Sequence, residues 1–407
     1  MDLTYIKREH YLEKLRALKD EHIIKVVTGV RRCGKSVLLE TFRDELLRKK
    51  VKRRQITYLN FEDPENTDIL DWREVYQRIN DNLLSDQMNY IFLDEVQNIP
   101  EFERMVDGLF VKKNVDLYIT GSNAYFLSSE IATILSGRYI EIRVLPYSFS
   151  EYKEARMLGV EKAYTDEALF EEYVNYGSFP QVADFIRENK QRLINDYLTG
   201  IMNTVMIKDV NSRTSTTSPR TATNIMRFML GNIGNLVSPN NIADTMTADH
   251  QAVSRPTVAN YLAALSESFL LYPVERFDIR GKKLLRNYGK YYTVDLGLRR
   301  TVLGNSFNTD RGMMLENLVY LELLRRGNTV RIGRAGEQEV DFIAIDENGD
   351  TSYYQVAYTV REEKTLEREL ASLRQINDNN PKYLITMDVE KRDYDGIRQV
   401  NALDFFQ

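Results

Sequence analysis

From residue 23 to about 144 the chain alternates short runs of β-branched and aromatic residues with longer stretches whose apolar positions return at helical spacing. The runs fall at 23–27, 55–61, 90–94, 115–120 and 139–144. After the first of them Val37, Leu38, Leu39, Phe42, Leu46 and Leu47 recur along one helical face. Strand and helix in strict alternation predict a parallel sheet with helices on both of its faces. Residues 6–18 lead into it as a short amphipathic helix, and Pro146 punctuates its end. The pattern from 148 to 210 is helical, broken at Tyr176-Gly177-Ser178-Phe179-Pro180. Residues 211–224 are rich in Ser and Thr, contain Pro219, and are expected to form a linker or surface loop. Short helices follow at 222–231 and 240–246. A further one opens at Ser254-Arg255-Pro256, with serine as N-cap and proline early in the first turn. The last third predicts a helix at 313–325 and strands at 329–332, 340–345 and 352–358, with Asn348-Gly349 as a hairpin turn. A helix at 363–376 and a strand at 383–386 complete it.

Chemistry enters at the first strand–helix junction. Gly29-Val30-Arg31-Arg32-Cys33-Gly34-Lys35-Ser36 fits the phosphate-loop pattern G-x-x-x-x-G-K-[ST] without a mismatch, and Val37 opens the helical run behind it. In such a loop successive backbone N–H groups and the positive end of the helix cradle phosphates. Lys35 reaches the β- and γ-phosphates, and Ser36 holds Mg²⁺. Asn89-Tyr90-Ile91-Phe92-Leu93 is an apolar strand ending in Asp94 and Glu95. At that place the first carboxylate serves Mg²⁺ and the second orients and deprotonates an attacking water. The following strand ends in Gly121-Ser122-Asn123. There Asn123 or Ser122 can hydrogen-bond the γ-phosphate or the lytic water, although the same tripeptide makes an ordinary turn.

With these motifs in order, the chain resembles the AAA-type, archaeal-like P-loop ATPases of the additional-strand class. More particularly, it resembles a large prokaryotic group that carries a C-terminal domain of unknown function. The segments that carry the resemblance are the loop, Tyr58-Leu59-Asn60-Phe61-Glu62-Asp63, Ile91 to Gln97, Ile119 to Asn123, Leu135-Ser136-Gly137-Arg138 and Leu145 to Glu151. Tyr291 to Leu298, Met314 to Val319 and Glu339 to Phe342 match the marks of the C-terminal domain. The resemblance implies four parts: an ATPase core at 1–146, a helical lid at 147–215, a winged helix-turn-helix at 216–278 and a restriction-endonuclease-like domain at 279–407. The fold class is thus multidomain α/β. Arg138 occupies the Gly-Arg position from which a ring-forming ATPase completes a neighbour's γ-phosphate site, and Arg143 is a second candidate. Both also suit an ion pair at the sheet edge.

The helix from 254, followed by the strand-like Leu270 to Val274, has winged-helix order, with Arg255, Thr257 and Asn260 at the end that enters a major groove. In the tail, Glu316, Asp341 and Gln355 fall at the metal-site positions of nucleases of that fold. Gln355 replaces a carboxylate, however, and Ala357 stands where lysine is expected. Alanine cannot stabilise charge on a phosphate or its attacking water. Lys364 is the nearest substitute along the chain, and a degenerate domain that binds without cutting is the expectation.

Composition narrows the field. The 407 residues are 43% hydrophobic and 28% charged, as in a soluble globular protein. The lone cysteine, Cys33, excludes a disulfide framework and suits a reducing cytoplasm. Three histidines leave little room for histidine-rich metal sites or a Ser-His-Asp hydrolase. The N-terminus lacks the apolar core of a signal peptide, and no run suffices to span a bilayer. Net charge is −5, yet Arg276, Arg280, Lys282, Lys283, Arg286, Lys290, Arg299 and Arg300 form a basic stripe opposed only by Asp278 and Asp295. Such a stripe suits a polyanion or a plainly solvated face. The expectation is a cytoplasmic Mg²⁺-dependent ATPase coupled to duplex DNA, acting as a homo-oligomer and without membrane contact. Two alternatives stand beside it: an ATP-gated switch that binds a protein partner through its C-terminal half, and an active metal-dependent DNA nuclease.

Overall fold

In the first strand Ile24, Val26 and the residues between them are buried on both sides, which only a central position in a covered parallel sheet allows. The computed structural model describes residues 5–63, 65, 71–124, 135, 137–160, 163–211, 219–248, 250–304 and 310–407. Most of the expected linker (212–218), Ser136, and the side chains at 219 and 286–288, including Arg286 of the basic stripe, lie outside the described residues. Two compact units emerge. One is Met1–Pro146 with Glu267–Phe269, and the other is Tyr147–Ser266 with Leu270–Gln407.

The first unit runs α1 (Glu9–Ala17), β1 (Ile24–Thr28), α2 (Lys35–Arg48), β2 (Ile56–Asn60), α3 (Trp72–Asn80), β3 (Asn89–Asp94), α4 (Phe102–Phe110), β4 (Val115–Gly121) and β5 (Tyr139–Arg143). Among the described residues its five strands are parallel in the order β2-β3-β4-β1-β5. Thus β4 stands between the strand that feeds the loop and the strand that ends in Asp94. Alternation of side chains along the strands splits the core in two. Ile24, Val26, Ile91, Leu93, Leu117 and Ile119 pack with Val75 and Ile79 of α3 and with Phe102, Met105, Val106 and Leu109 of α4. On the other face the Phe92 and Tyr118 rings stack at 4.8 Å, and Phe42 of α2 lies 5.4 Å from Tyr118. The five expected strands and the coverage of both faces are all present.

The second unit begins with α5 (Phe149–Met157), α6 (Asp166–Tyr176), α7 (Pro180–Arg187) and α8 (Ile194–Val205). Ser148 and Glu151 form a capping box at its start, each side chain serving the other's backbone N–H. α9 (Pro219–Gly231), α10 (Pro239–Ala248) and α11 (Arg255–Glu267) follow, and then β6 (Leu271–Asp278) pairs antiparallel with β7 (Lys283–Thr293). Val237, just before α10, bridges Gly289 of β7. Ser254 accepts the Thr257 N–H, as its N-cap position requires. The chain closes with α12 (Leu296–Leu303), α13 (Arg311–Arg325), β8 (Thr329–Ala335), β9 (Gln338–Ile345), β10 (Thr351–Val356), α14 (Glu363–Arg374), β11 (Lys382–Thr386), β12 (Asp393–Tyr394), β13 (Ile397–Asn401) and α15 (Ala402–Phe405). Eight described strands form one sheet in the order β12-β13-β11-β10-β9-β8-β6-β7. β6, whose start at Leu271 to Val274 was expected in the winged-helix segment, therefore belongs to the C-terminal sheet, where it runs parallel to β8 and β7 forms the edge.

The break at Tyr176 to Pro180 has a structural cause. Asp295, fully buried, caps α12 through the Leu298 N–H and also accepts from both the backbone N–H and the hydroxyl of Ser178. A Cβ on Gly177 would lie 2.5 Å from Asp295 Oδ1, and one on Gly297 would lie 2.2 Å from the Tyr176 carbonyl, so glycine is required at both. No helix among the described residues is long and apolar enough to cross a membrane.

Candidate functional site

β1 delivers the chain into the loop at Gly29, whose φ of +144° and whose contact with Val144 exclude any side chain. A Cβ there would lie 2.1 Å from the Val144 carbonyl oxygen. Gly34, at φ 102° in the left-handed region, caps the 14-residue α2, so first-turn amides without helical partners follow directly on the loop. Cys33 is fully buried inside it, and burial pushes its thiol pKa up, which makes it a packed filler rather than an exposed thiolate. Arg31 pairs with Glu62 at 3.0 Å, while Arg32 is exposed at φ 67°. Val30 is fully buried, and Ser36 and Val37 are half-buried in the first turn of α2.

Lys35 points back into this cradle. Its ammonium donates to the Gly29 carbonyl at 3.0 Å and lies 3.3 Å from Glu95 Oε1. Burial works to lower its pKa, but the charges of Glu95 and Asp94 outweigh burial and hold it above the ordinary lysine value. Glu95 answers in kind. Burial pushes it up, yet Lys35, the Gln97 side chain and Arg31 leave it below the usual carboxylate range. Both groups are thus charged while almost wholly removed from solvent. Asp94, on the last position of β3, accepts from Thr120 Oγ1 at 2.5 Å and from the Tyr58 hydroxyl at 3.1 Å. Thr120 in turn accepts the Glu95 N–H at 2.8 Å. The ends of β2, β3 and β4 are therefore tied together around the acidic pair.

Both polar candidates after β4 are buried, and Ser122 is joined to Glu95 through Gln97. Gln97 Nε2 donates to Glu95 Oε2 and, at 3.2 Å, to Ser122 Oγ. Arg138 is elsewhere. Its carbonyl accepts the N–H of Ile24, the first residue of β1, whereas the loop leaves from the last. The two ends of that strand are roughly 13 Å apart. Arg138 pairs with Asp107 and lies over the Phe110 ring, so it takes no part in this chain's own cradle. Arg143 pairs with Glu141 at 3.1 Å. Sequence reasoning missed Arg8, which is buried and donates to the Cys33 carbonyl at 3.1 Å and the Leu145 carbonyl at 2.8 Å. It braces the underside of the loop from 25 residues upstream. No local motif marks it.

The cradle suits a magnesium-complexed nucleoside triphosphate: a glycine that no side chain can replace, a helix start, and an ammonium held inside. Ser36 and Asp94 are the residues that could hold the metal.

A second set of charges lies in the other unit. Glu316 of α13 and Asp341 of β9 do converge, but around a lysine. Lys290 Nζ, buried, is 2.7 Å from Glu339 Oε1, 3.0 Å from Glu316 Oε1 and 3.9 Å from Asp341 Oδ1. The Tyr292 hydroxyl also donates to Glu316, at 2.6 Å. Burial and the Glu316 charge push the Asp341 carboxyl well above the ordinary range against the pull of Lys290. Gln355 is taken up by Glu369 at 2.9 Å and Ser372 at 3.1 Å. Ala357 belongs to the apolar cluster with Leu370 and Leu373 of α14, which explains why it is small and uncharged. Lys364 is exposed, so it is not the substitute cation; Lys290 holds that place. No group of three or more His, Cys, Asp or Glu residues arranged to hold a metal occurs among the described residues. The basic stripe is thinner than its sequence suggests, because Lys290 and Arg299 are buried.

Comparison with known proteins agrees with the loop chemistry. Residues 21–153 match the family described as an AAA domain, and residues 167–309 match a domain of unknown function (DUF8612). An uncharacterized protein of Haemophilus influenzae is 37% identical over 407 residues, covering 100% of this chain and 99% of its own. An uncharacterized protein of Methanocaldococcus jannaschii is 31% identical over 380 residues, covering 88% of this chain and 80% of its own. A solved Walker-type ATPase of Pyrococcus abyssi shares the fold at a TM-score of 0.54 and 15% identity, over 74% of this chain and 99% of that one. The chain belongs to one family with these two relatives, and its first unit carries the AAA domain of the P-loop ATPases.

Proposed function

We propose that the protein binds Mg²⁺–ATP and hydrolyses it, and that turnover is coupled to duplex DNA. The observation that carries the first part is the buried Lys35–Glu95 pair at the mouth of a glycine cradle. Lys35 exchanges Glu95 for the β- and γ-phosphates when nucleotide enters, and the exchange releases the carboxylate for its own task. Ser36 and Asp94 would hold Mg²⁺, which would supply neutralisation of phosphate charge. Glu95 aligns a water and takes its proton as the water oxygen bonds to the γ-phosphorus. The bond to the β–γ bridging oxygen breaks, and its electron pair leaves with ADP. Lys35 and the loop amides stabilise the charge that develops. Asn123 is retained as a candidate γ-phosphate partner beside Ser122. Arg138, turned away from its own cradle, is assigned to a neighbouring copy in a homo-oligomer.

The DNA part rests on the second unit. Helices α9, α10 and α11, the bridging Val237 and the β6–β7 hairpin follow the order of a winged helix. Arg255 and Asn260 of α11 and Arg280, Lys282 and Lys283 at the hairpin are exposed. We assign α11 to the major groove and the hairpin to phosphates. One experiment tests both parts: the ATPase rate with and without duplex DNA at two salt concentrations. Stimulation that fades steeply with salt is expected, since each phosphate contact contributes about 0.9 to the logarithmic salt slope. Absence of turnover without and with DNA overturns the whole reading, and turnover indifferent to DNA overturns its second half. The burial of Lys290 and Arg299 favours a second reading, an ATP-gated switch for a protein partner. That reading predicts ATP-dependent oligomerisation with no DNA affinity.

A further inference from the structure

The turn after β3 is built so that a side chain two residues beyond Glu95 returns over it. Glu95 adopts φ 57°, ψ 50°, a left-handed conformation that a non-glycine residue holds only when its surroundings impose it. Here the Glu95 N–H is fixed by Thr120, and the Glu95 carbonyl accepts the Asn98 N–H at 3.1 Å. Asn98 also reaches the Phe61 carbonyl at 3.2 Å. The one-turn helix Val96–Asn98 that results places Gln97 against the carboxylate.

We infer that Gln97 is a positioning residue for hydrolysis: its amide NH₂ spans the Glu95 carboxylate and Ser122 Oγ, and so sets the direction in which Glu95 faces the attacking water. Glu95 has two oxygens with distinct duties. Oε1 looks to Lys35 and Oε2 is held by Gln97. When Lys35 turns to phosphate, the Gln97 bond is what keeps the carboxylate from rotating, and Ser122 ties that bond to the end of β4. The orientation of the amide is forced, because reversing it would put a carbonyl oxygen against a carboxylate. Gln97 Oε1 is buried without a donor among the described residues, so the amide acts through its NH₂ alone. The assignment rests on the ATPase reading above and adds a residue that reading does not use.

The test is steady-state Mg²⁺–ATP turnover by the full chain and by Gln97→Leu and the isosteric Gln97→Glu, each with and without Glu95→Gln. Loss of an oriented hydrogen bond to a charged group is expected to lower kcat about tenfold or more with KM within about twofold. In the Glu95→Gln background the same changes are expected to cost less than about twofold, because the group they orient is gone. Unchanged kcat in both variants overturns the inference, as does a rise in KM that accounts for the whole loss, or full additivity with Glu95→Gln. Should one variant fail to fold, the other carries the comparison. A wild-type chain that does not hydrolyse ATP overturns the ATPase reading and this inference together, whereas active wild type with fully active Gln97 variants overturns this inference alone.

Discussion

Among the buried lysines that face carboxylates, Lys35 and Lys290, one from each unit, are built to opposite ends. Lys35 sits on a loop, opposes the single carboxylate Glu95 and fills its remaining bonding capacity with a loop carbonyl. Lys290 sits on a sheet strand among Glu316, Glu339 and Asp341. The first pair is balanced in charge and is held by a weak neutral acceptor on one side, so a phosphate can displace what the ammonium touches. The second is over-supplied with carboxylates, takes a hydroxyl from Tyr292, and raises the Asp341 pKa to shed a charge. A lysine on one carboxylate is poised. A lysine enclosed by three has taken the place a divalent cation would need, and the site is closed by its own side chain.

The largest effect that can break this contrast is at Lys35. Lys35→Ala is expected to abolish measurable Mg²⁺–ATP turnover and to weaken nucleotide binding, read by phosphate release and by nucleotide titration. Glu95→Gln comes next. It keeps the cradle and its charge-free hydrogen bonds, so ATP still binds, while turnover falls about 10²- to 10⁴-fold with the loss of general-base assistance. Wild-type turnover by Glu95→Gln would sink the assignment of the water-orienting role.

At the second site the same deletion has a different outcome. Lys290→Met leaves three carboxylates without their cation, and breaking a buried pair in this way costs about 3–5 kcal/mol. Thermal denaturation of the full chain should show the loss in the second unit, and Mn²⁺ should restore part of it, because the divalent ion then enters the place the ammonium left. Basal ATP turnover at low temperature should be unaffected. If Lys290→Met melts like the wild type, the enclosed-lysine account fails.

How much of this contrast could be read in the sequence depends on how far apart along the chain the partners lie. The loop was legible because Gly29, Gly34, Lys35 and Ser36 act within one turn of backbone, and β1 and α2 announce themselves on either side. That the strands are parallel and that Asp94 ends one of them followed from the same local patterns, whereas their order in the sheet rests on long-range pairings that no local pattern shows. Arg8 was not legible, since its partner Leu145 is 137 residues away. Lys290 was hidden differently. In a basic stripe, exposed and buried cations look alike, and only the fold of β7 across α13 and β9 distinguishes them. Ala357 misled for a related reason: its side chain belongs to the packing of α14, so the position carries no information about the cation. Arg138 stands at the Gly-Arg position that the resemblance singled out, and the strand direction sends it to the far end of β1.

The smallest expected effect concerns Asp341 and gives the sharpest reading of the closed site. Its folded pKa lies well above the unfolded value, first through burial and then through Glu316. A carboxyl raised in this way contributes stability that is complete below the unfolded pKa, near 4, and is lost as pH rises through the folded pKa. Asp341→Asn removes that dependence while keeping an oxygen for the Val356 N–H, which Asp341 Oδ2 accepts at 2.8 Å. The melting temperatures of variant and wild type should therefore nearly coincide at about pH 4. They should diverge as pH rises, with the variant the more stable. A wild type that gains on the variant as pH rises would mean that Asp341 is stabilised as a carboxylate. Lys290 would then be serving it as a counter-ion with room to spare, and the second site would resemble the first.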